Sequence, residues 1–374
     1  MENRRIRVAI THGDTNGIGY ELIFKTFAEP AMLELCTPIV YGSPKVAAYH
    51  RNVLGLQANF TIIGKAEDAR DGRVNMLTTF DEEVKVEMGN SSPESAKAAL
   101  KALRRAMDDF QRGVYDALVL GPADATKIAA SGEAFTSEQA FIEAKIGNGN
   151  KAMRILMNER LRIALATDSL PMKSVAQAIT KELILDKATT LQQSLKRDFR
   201  ISNPRIAVLA LNPSSVEGAE ENDSIRPAIV ELAKKGVQVF GPFAADAFFG
   251  NGDYDAFDGV LAMYYEQGAT PFRTLDLGNG ILMTAGLPIV CTSTDLSAGF
   301  DIAGKGVVDE NPLRQAIYAA IDIARNRQNY DSPLENPLPK LYHEKRDESE
   351  KVRFAIPKKH DSKPAEEKGP AQAE

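Results

Sequence analysis

Short apolar runs alternate with amphipathic stretches along most of this chain. Arg7-Val8-Ala9-Ile10 is the first strand pattern, and Gly17-Ile18-Gly19 opens an amphipathic stretch from Glu21 to Phe27. Thr37 to Gly42 reads as a second strand ending in glycine. The spacing predicts the clearest helix over SSPESAKAALKALRRAMDDFQRG, with Ser92 as its cap, Pro93 in its first turn and Gly113 at its end. Ala96, Ala99, Leu100, Leu103, Ala106, Met107 and Phe110 form one apolar stripe at helical spacing. That helix feeds Ala117 to Leu120, a strand ending at Gly121-Pro122. The alternation continues with strands at Ile163 to Ala166, Ile206 to Leu211, Val237 to Phe240, Val260 to Met263 and Ile289 to Thr292. Helices are expected at Glu182 to Phe199, Ile225 to Lys235 and Pro312 to Arg325.

Such an order predicts an α/β fold with a mainly parallel sheet and right-handed crossovers, whose ligand loops gather at the carboxyl ends of the strands. The stretch LAMYYEQGATPF is one such end: an apolar run through Met263, then Tyr264, Tyr265, Glu266 and Gln267 together. From about Asp331 the pattern stops. The tail, residues 331 to 374, is charged, proline-rich and poor in apolar residues, and is expected to be disordered.

Composition narrows the function classes. A formal net charge of −6 argues against nucleic acid or an anionic membrane as the main partner. No apolar run is long enough to span a bilayer, and the start enters a strand pattern directly, so a cytoplasmic protein is expected. Cys36 and Cys291 are far apart with no CxxC pairing, which excludes a disulfide scaffold and a zinc ribbon. The four histidines are His12, His50, His343 and His360, and the last two lie in the tail. A three-histidine metal site on the folded body is therefore excluded.

Singly, the motifs decide little. THGDTNGIGYE joins the first strand to the first helix, and Gly17 and Gly19 suit either a tight turn or an anion at the helix N-terminus. Its spacing is not that of a dinucleotide fingerprint. GPADATK is a strand-end loop with Asp124 and Lys127. LNPSSVEG carries Asn212, Ser214 and Ser215, all able to hydrogen-bond a ligand or to form a capped turn. Asp246, in GPFAADAFF, is either a site acid or a cap.

Taken in order, ITHGDTNGIGYE, LVLGPADATK, FTSEQAF, RIALATDSLPMKSVAQAIT, ALNPSSVEG, GPFAADAFF, LAMYYEQG and GLPIVCTSTD resemble the 4-hydroxythreonine-4-phosphate dehydrogenase family, the PdxA proteins of vitamin B6 synthesis. The resemblance covers residues 5 to 326. It implies an isocitrate- and isopropylmalate-dehydrogenase-like fold of two α/β lobes around a central cleft, working as a homodimer. The expected division is 1–125 plus 288–330 for the first lobe and 126–287 for the second, with the dimer interface on the second. The family binds NAD without the usual fingerprint and oxidises a substrate hydroxyl polarised by a metal on three histidines.

Those histidines are replaced here. By the resemblance, Glu138 stands at the first ligand position, Ser214 at the second and Tyr265 at the third, so none keeps its metal ligand. Glu266 stands for the family's aspartate, Asp246 matches a family acid, and Arg273 replaces a lysine. Tyr265, Glu266, Asp246 and Arg273 are thus the catalytic candidates. Asp124 and Ala125 occupy the family's phosphate-loop positions, with Lys127 two residues late. Leu282 replaces an asparagine, and Cys291 replaces an arginine. Asp124, Lys127, Glu138, Asn212 and Ser214 are the substrate-pocket candidates, and a phosphate dianion facing Asp124 should bind poorly. Gly286, Leu287, Pro288 and Asp295 match the family's cofactor side, which leaves NAD as the expected cofactor. Any divalent metal would be Mg²⁺ or Mn²⁺ rather than Zn²⁺, because the donors left are oxygens. Three functional readings remain: the family's NAD-dependent reaction, impaired or lost; a noncatalytic paralogue binding a metabolite, nucleotide or protein; and an oxidoreductase of changed substrate with an acid-and-tyrosine site.

Overall fold

In the computed structural model, twelve strands among the described residues form a single sheet. They are β1 (Arg7–Thr11), β2 (Thr37–Gly42), β3 (Phe60–Ile63), β4 (Val74–Thr78), β5 (Ala117–Leu120), β6 (Met153–Met157), β7 (Arg162–Leu165), β8 (Arg205–Leu209), β9 (Gln238–Phe243), β10 (Gly259–Ala262), β11 (Ile281–Ala285) and β12 (Cys291–Thr294). Their order is β3-β4-β2-β1-β5-β12-β11-β6-β7-β10-β8-β9. The structure describes residues 4–80, 84–124, 126–127, 135, 137–168, 170–214, 216–276 and 278–337. One compact unit, Met1–Ser332, holds the whole sheet; the second, Pro333–Glu374, is described only to residue 337.

Eight of the eleven strand pairings are parallel, as the alternating pattern requires. The three antiparallel pairs, β12 with β11, β11 with β6 and β6 with β7, sit together at the centre. They reverse the strand direction there. Strands from residues 7 to 120, plus β12, make one half of the sheet, and strands from residues 153 to 285 make the other.

The alternation of side chains across the pleat divides the core. One face carries a continuous cluster that runs through Val8, Ile10, Val119, Ile155, Met283, Val208 and Leu261. The opposite face carries two separate clusters. One holds Ala9, Ile39, Leu118, Leu120 and Cys291, and the other holds Leu156, Ile163, Leu209, Val260 and Phe272. Between them the register places Ser293 opposite Leu282 and Thr284 opposite Arg154. That interval on the second face is where the site lies.

The predicted helix is Pro93–Gln111. Ser92 Oγ accepts from the Ser95 amide at 3.1 Å, the Ser92 amide donates back to Ser95 Oγ, and Gly113 turns the chain at φ +69°. Two expectations shift. The last strand begins at Cys291 rather than Ile289, because Gly286 at φ +82° and the residues after it form the turn out of β11. The final helix, Asn311–Glu335, passes the boundary expected near Asp331, whose carboxylate accepts from Arg197 Nε at 2.9 Å. The expected tail from residue 338 onward lies outside the described residues. Among the described residues, no helix is long and apolar enough to cross a membrane.

Candidate functional site

The loop after β1 is bound into the structure through its backbone. The Asp14 amide donates to Pro122 O at 3.0 Å, the Gly17 amide to Asp14 O at 3.1 Å, and the Ile18 amide to Ala298 O at 3.0 Å. A Cβ on Gly13, at φ +71°, would stand 2.2 Å from Pro122 O, and one on Gly19 would stand 1.8 Å from His12 O. The glycines therefore serve close backbone packing, the tight-turn alternative for this motif. His12 is fully buried and stacked on Tyr20 at 5.2 Å, with neither ring nitrogen partnered. Burial, then the neighbouring His50, lowers its pKa to about 3, so the ring stays neutral.

A pocket of about 170 Å³ occupies the gap between the two clusters. Its walls include Gly121 to Ala123 after β5, Glu138, Arg154 on β6, Thr284 on β11, and Ser293 and Thr294 on β12. Glu138 begins the helix Glu138–Ile146, which Ser137 caps by accepting from the Ala140 amide at 3.2 Å. Its Oε1 is sealed from solvent without a partner, and burial raises its pKa to about 7. Arg154 Nη1 donates to Asp168 Oδ1 at 3.2 Å. Cys291 is buried in the adjacent cluster, where burial and then the charge of Glu138 push its thiol up to about 12. It is chemically inert there.

Asp124 follows the pocket wall but turns its carboxylate to local partners. It accepts from Ser91 Oγ at 2.9 Å and from the Thr126 amide at 2.9 Å. Burial pulls its pKa upward, and the hydrogen bonds from Thr126, Ser91 and the Lys127 amide outweigh this and hold it low. It remains anionic. Lys127 contributes its amide to that turn.

The other candidates separate into three places. Tyr265, Arg273 and Asp295 meet: Arg273 donates to Asp295 through Nε and Nη2, both at 2.7 Å, and through Nη2 to the Tyr265 hydroxyl at 3.1 Å. Asp295 lies in sequence between Thr294 and Leu296, which both line the pocket, while none of the trio lines it itself. Glu266 and Asp246 are exposed on the first turns of their helices, and Ser214 is exposed on its loop. Asn212 is turned inward, where its amide and Nδ2 donate to Glu221 at 2.9 Å each. Ser215, three residues further along, lies outside the described residues.

Gly286, Leu287 and Pro288 line a second pocket of about 350 Å³ together with Arg197, Asp198 and Arg327. Arg327 Nη1 donates to the carbonyls of Leu287 and Pro288 at 3.3 and 2.9 Å. Asp295 stands at the opposite end of β12, about 13 Å away for four strand residues. Gly286, Leu287 and Pro288 therefore line one pocket within this chain, and Asp295 does not line it.

Glu138, Ser214 and Tyr265, which the resemblance puts at the three ligand positions, do not fit a divalent metal. Glu138 is unpartnered in a poorly solvated wall, Ser214 is an exposed neutral hydroxyl, and the Tyr265 hydroxyl accepts from a guanidinium. Among the described residues, no group of three His, Cys, Asp or Glu side chains is placed to hold a metal.

Sequence reasoning missed two residues that shape this region. Gln267 accepts from the Met263 amide at 2.7 Å and donates to Ala210 O at 2.6 Å, tying β10 to β8. Glu221 accepts from the amides of Leu211, Asn212 and Gly218 and so folds the LNPSSVEG loop around itself. The polar cluster in LAMYYEQG signalled the first. Nothing local signalled the second.

The family model for the pyridoxal phosphate biosynthetic protein PdxA matches residues 34–320. A 4-hydroxythreonine-4-phosphate dehydrogenase of Bacteroides thetaiotaomicron is 49% identical over 358 residues, spanning 95% of this chain and 98% of that protein. One from Sulfurihydrogenibium is 32% identical over 327 residues, spanning 86% of this chain and all of its own. The crystal structure of the 4-hydroxythreonine-4-phosphate dehydrogenase from Klebsiella pneumoniae superimposes with a TM-score of 0.74 at 26% identity, covering 86% of this chain and 99% of that one.

Proposed function

Because the chain belongs to the PdxA family, whose members include 4-hydroxythreonine-4-phosphate dehydrogenases, we propose that it keeps the family's central pocket but has lost metal-dependent oxidation of the phosphorylated substrate. One observation carries this reading. At the third ligand position the Tyr265 hydroxyl is engaged by Arg273, which is itself locked to Asp295 by two hydrogen bonds of 2.7 Å. The Tyr265 hydroxyl is thus already engaged where, by the resemblance, the family's reaction has a metal ligand, and alcohol oxidation needs its developing alkoxide stabilised. Asp124 adds a fixed negative charge where the family receives phosphate.

The function that remains is recognition of a small molecule by a noncatalytic paralogue. We read it as a homodimer, by extension from the family. NAD is retained only as a candidate ligand of the Gly286-Leu287-Pro288 pocket.

The test is NADH formation by the purified, folded chain with 4-hydroxythreonine-4-phosphate, in parallel with Zn²⁺, Mg²⁺ and Mn²⁺. No turnover is expected with any of them. Metal-dependent turnover would refute the proposal and return Tyr265 and the acids to catalysis, the reading of a changed but active site. Light scattering checks the dimer.

A further inference from the structure

A pocket of about 490 Å³ lies on the sheet face opposite the candidate site, over the cluster that includes Met157, Ile281 and Ile323. Its walls carry Glu159 from the turn between β6 and β7, Arg162 at the start of β7, Phe199 after the helix Lys181–Arg197, and Tyr318 and Asp322 on the final helix.

Arg162 sets the chemistry. Its guanidinium carbon sits 4.7 Å from the centroid of the Phe199 ring, a stack that holds the group in place. Nε is sealed without a partner and is out of reach. The two terminal nitrogens are not sealed, and they too make no hydrogen bond or ion pair among the described residues. Burial pulls the pKa of Arg162 down, and the charge of Asp258 acts against that. Asp258 itself accepts from the Arg205 amide at 2.7 Å. A guanidinium held by its stack, with its outer donors empty, is preorganised for a carboxylate.

The other wall charges decide what accompanies that carboxylate. Asp198 is matched by Arg327 at 2.6 Å. The carboxylates of Glu159 and Asp322 make no ion pair or hydrogen bond among the described residues. One open cation therefore shares the walls with two open anions. A simple anion would be opposed by both acids, and a simple amine by Arg162. A molecule carrying a carboxylate and an ammonium together meets both signs. Phe199 is half-buried and Tyr318 is 36% exposed, so the same walls offer accessible apolar surface.

We propose that this pocket binds an amino acid as its zwitterion, with the carboxylate on Arg162, the ammonium drawn by Asp322 and Glu159, and an apolar side chain along Phe199 and Tyr318.

Isothermal titration of the full chain tests it with L-leucine and L-phenylalanine. The controls are 4-methylpentanoate and 3-phenylpropanoate, which lack the ammonium, 3-methylbutylamine and 2-phenylethylamine, which lack the carboxylate, and inorganic phosphate. At least one of the two amino acids should saturate the protein, with its two single-charge analogues and phosphate each about tenfold weaker or more, the worth of one charge-assisted hydrogen bond. Arg162→Gln and Asp322→Asn should each weaken that amino acid by about tenfold. Melting curves confirm that the variants fold, and Asp322, being exposed, tests the pocket even if Arg162→Gln does not. Binding of neither amino acid would overturn the proposal. So would an analogue or phosphate that binds as tightly as the amino acid, or an affinity unchanged in the folded variants, which would place the ligand elsewhere. Turnover of the phosphorylated substrate bears on the central pocket and leaves these outcomes unaffected.

Discussion

Asp198 and Arg327 lie 129 residues apart and form the most buried ion pair described in the molecule, at 1% and 6% exposure. Arg327 Nε donates to Asp198 Oδ1 at 2.6 Å and Nη2 to Oδ2 at 3.3 Å, while Nη1 holds the Leu287 and Pro288 carbonyls. One residue thus clamps the final helix to the end of the helix Lys181–Arg197 and to the turn between β11 and β12. Asp198→Ala leaves a buried guanidinium without its counter-charge, which costs about 3 to 5 kcal/mol. Arg327→Met leaves a buried carboxylate and two carbonyls, at a similar cost. The double variant buries no charge, so it should lose roughly what one single variant loses. The coupling energy is then about 3 kcal/mol. Urea unfolding followed by circular dichroism is the assay, since the chain has no tryptophan to report by fluorescence. At about 2 °C per kcal/mol for a chain of this size, each single variant should also melt about 6 to 10 °C lower. Single losses below about 1 kcal/mol, or losses that simply add in the double variant, would refute the reasoning.

Glu138 ionises less readily folded than unfolded, with its pKa moved from 4.5 to about 7. The unfolded chain therefore releases the proton first, stability falls as pH rises through that window, and it levels off above it. Glu138→Gln should gain on the parent between pH 5 and 8 in paired melting curves, and a constant difference would contradict the burial argument. Glu221→Gln turns a donor toward amides that now donate to it, so amide exchange over residues 211–218 should accelerate, with a loss of about 2 kcal/mol. Protection unchanged by the substitution would show that the loop holds itself. Ser92→Ala removes the capping box of the helix Pro93–Gln111 and should cost about 1 kcal/mol in urea. A neutral result would mean that tertiary packing alone sets that terminus.

Local chemistry made the regular elements and the family legible in the sequence. The helix Pro93–Gln111 was readable because its cap, first-turn proline, apolar stripe and terminal glycine all fall within one stretch. β2 was readable to the residue because an unbroken apolar run flanked by turn residues has few alternatives. Glu138, Ser214 and Tyr265 likewise stand out in the sequence as departures from the motifs of the family it resembles. Tertiary structure decided what those residues meet. The antiparallel centre of the sheet depends on pairing among β12, β11 and β6, whose partners are distant in sequence. That pairing leaves Glu138 and Thr294 unsatisfied around one pocket, joins Tyr265 to Asp295 through Arg273, and separates Asp295 from Gly286. Capping and periodicity act within a few residues and so are written locally. Burial, charge matching and unmet hydrogen bonds belong to groups brought together from far along the chain, and only the folded arrangement specifies them.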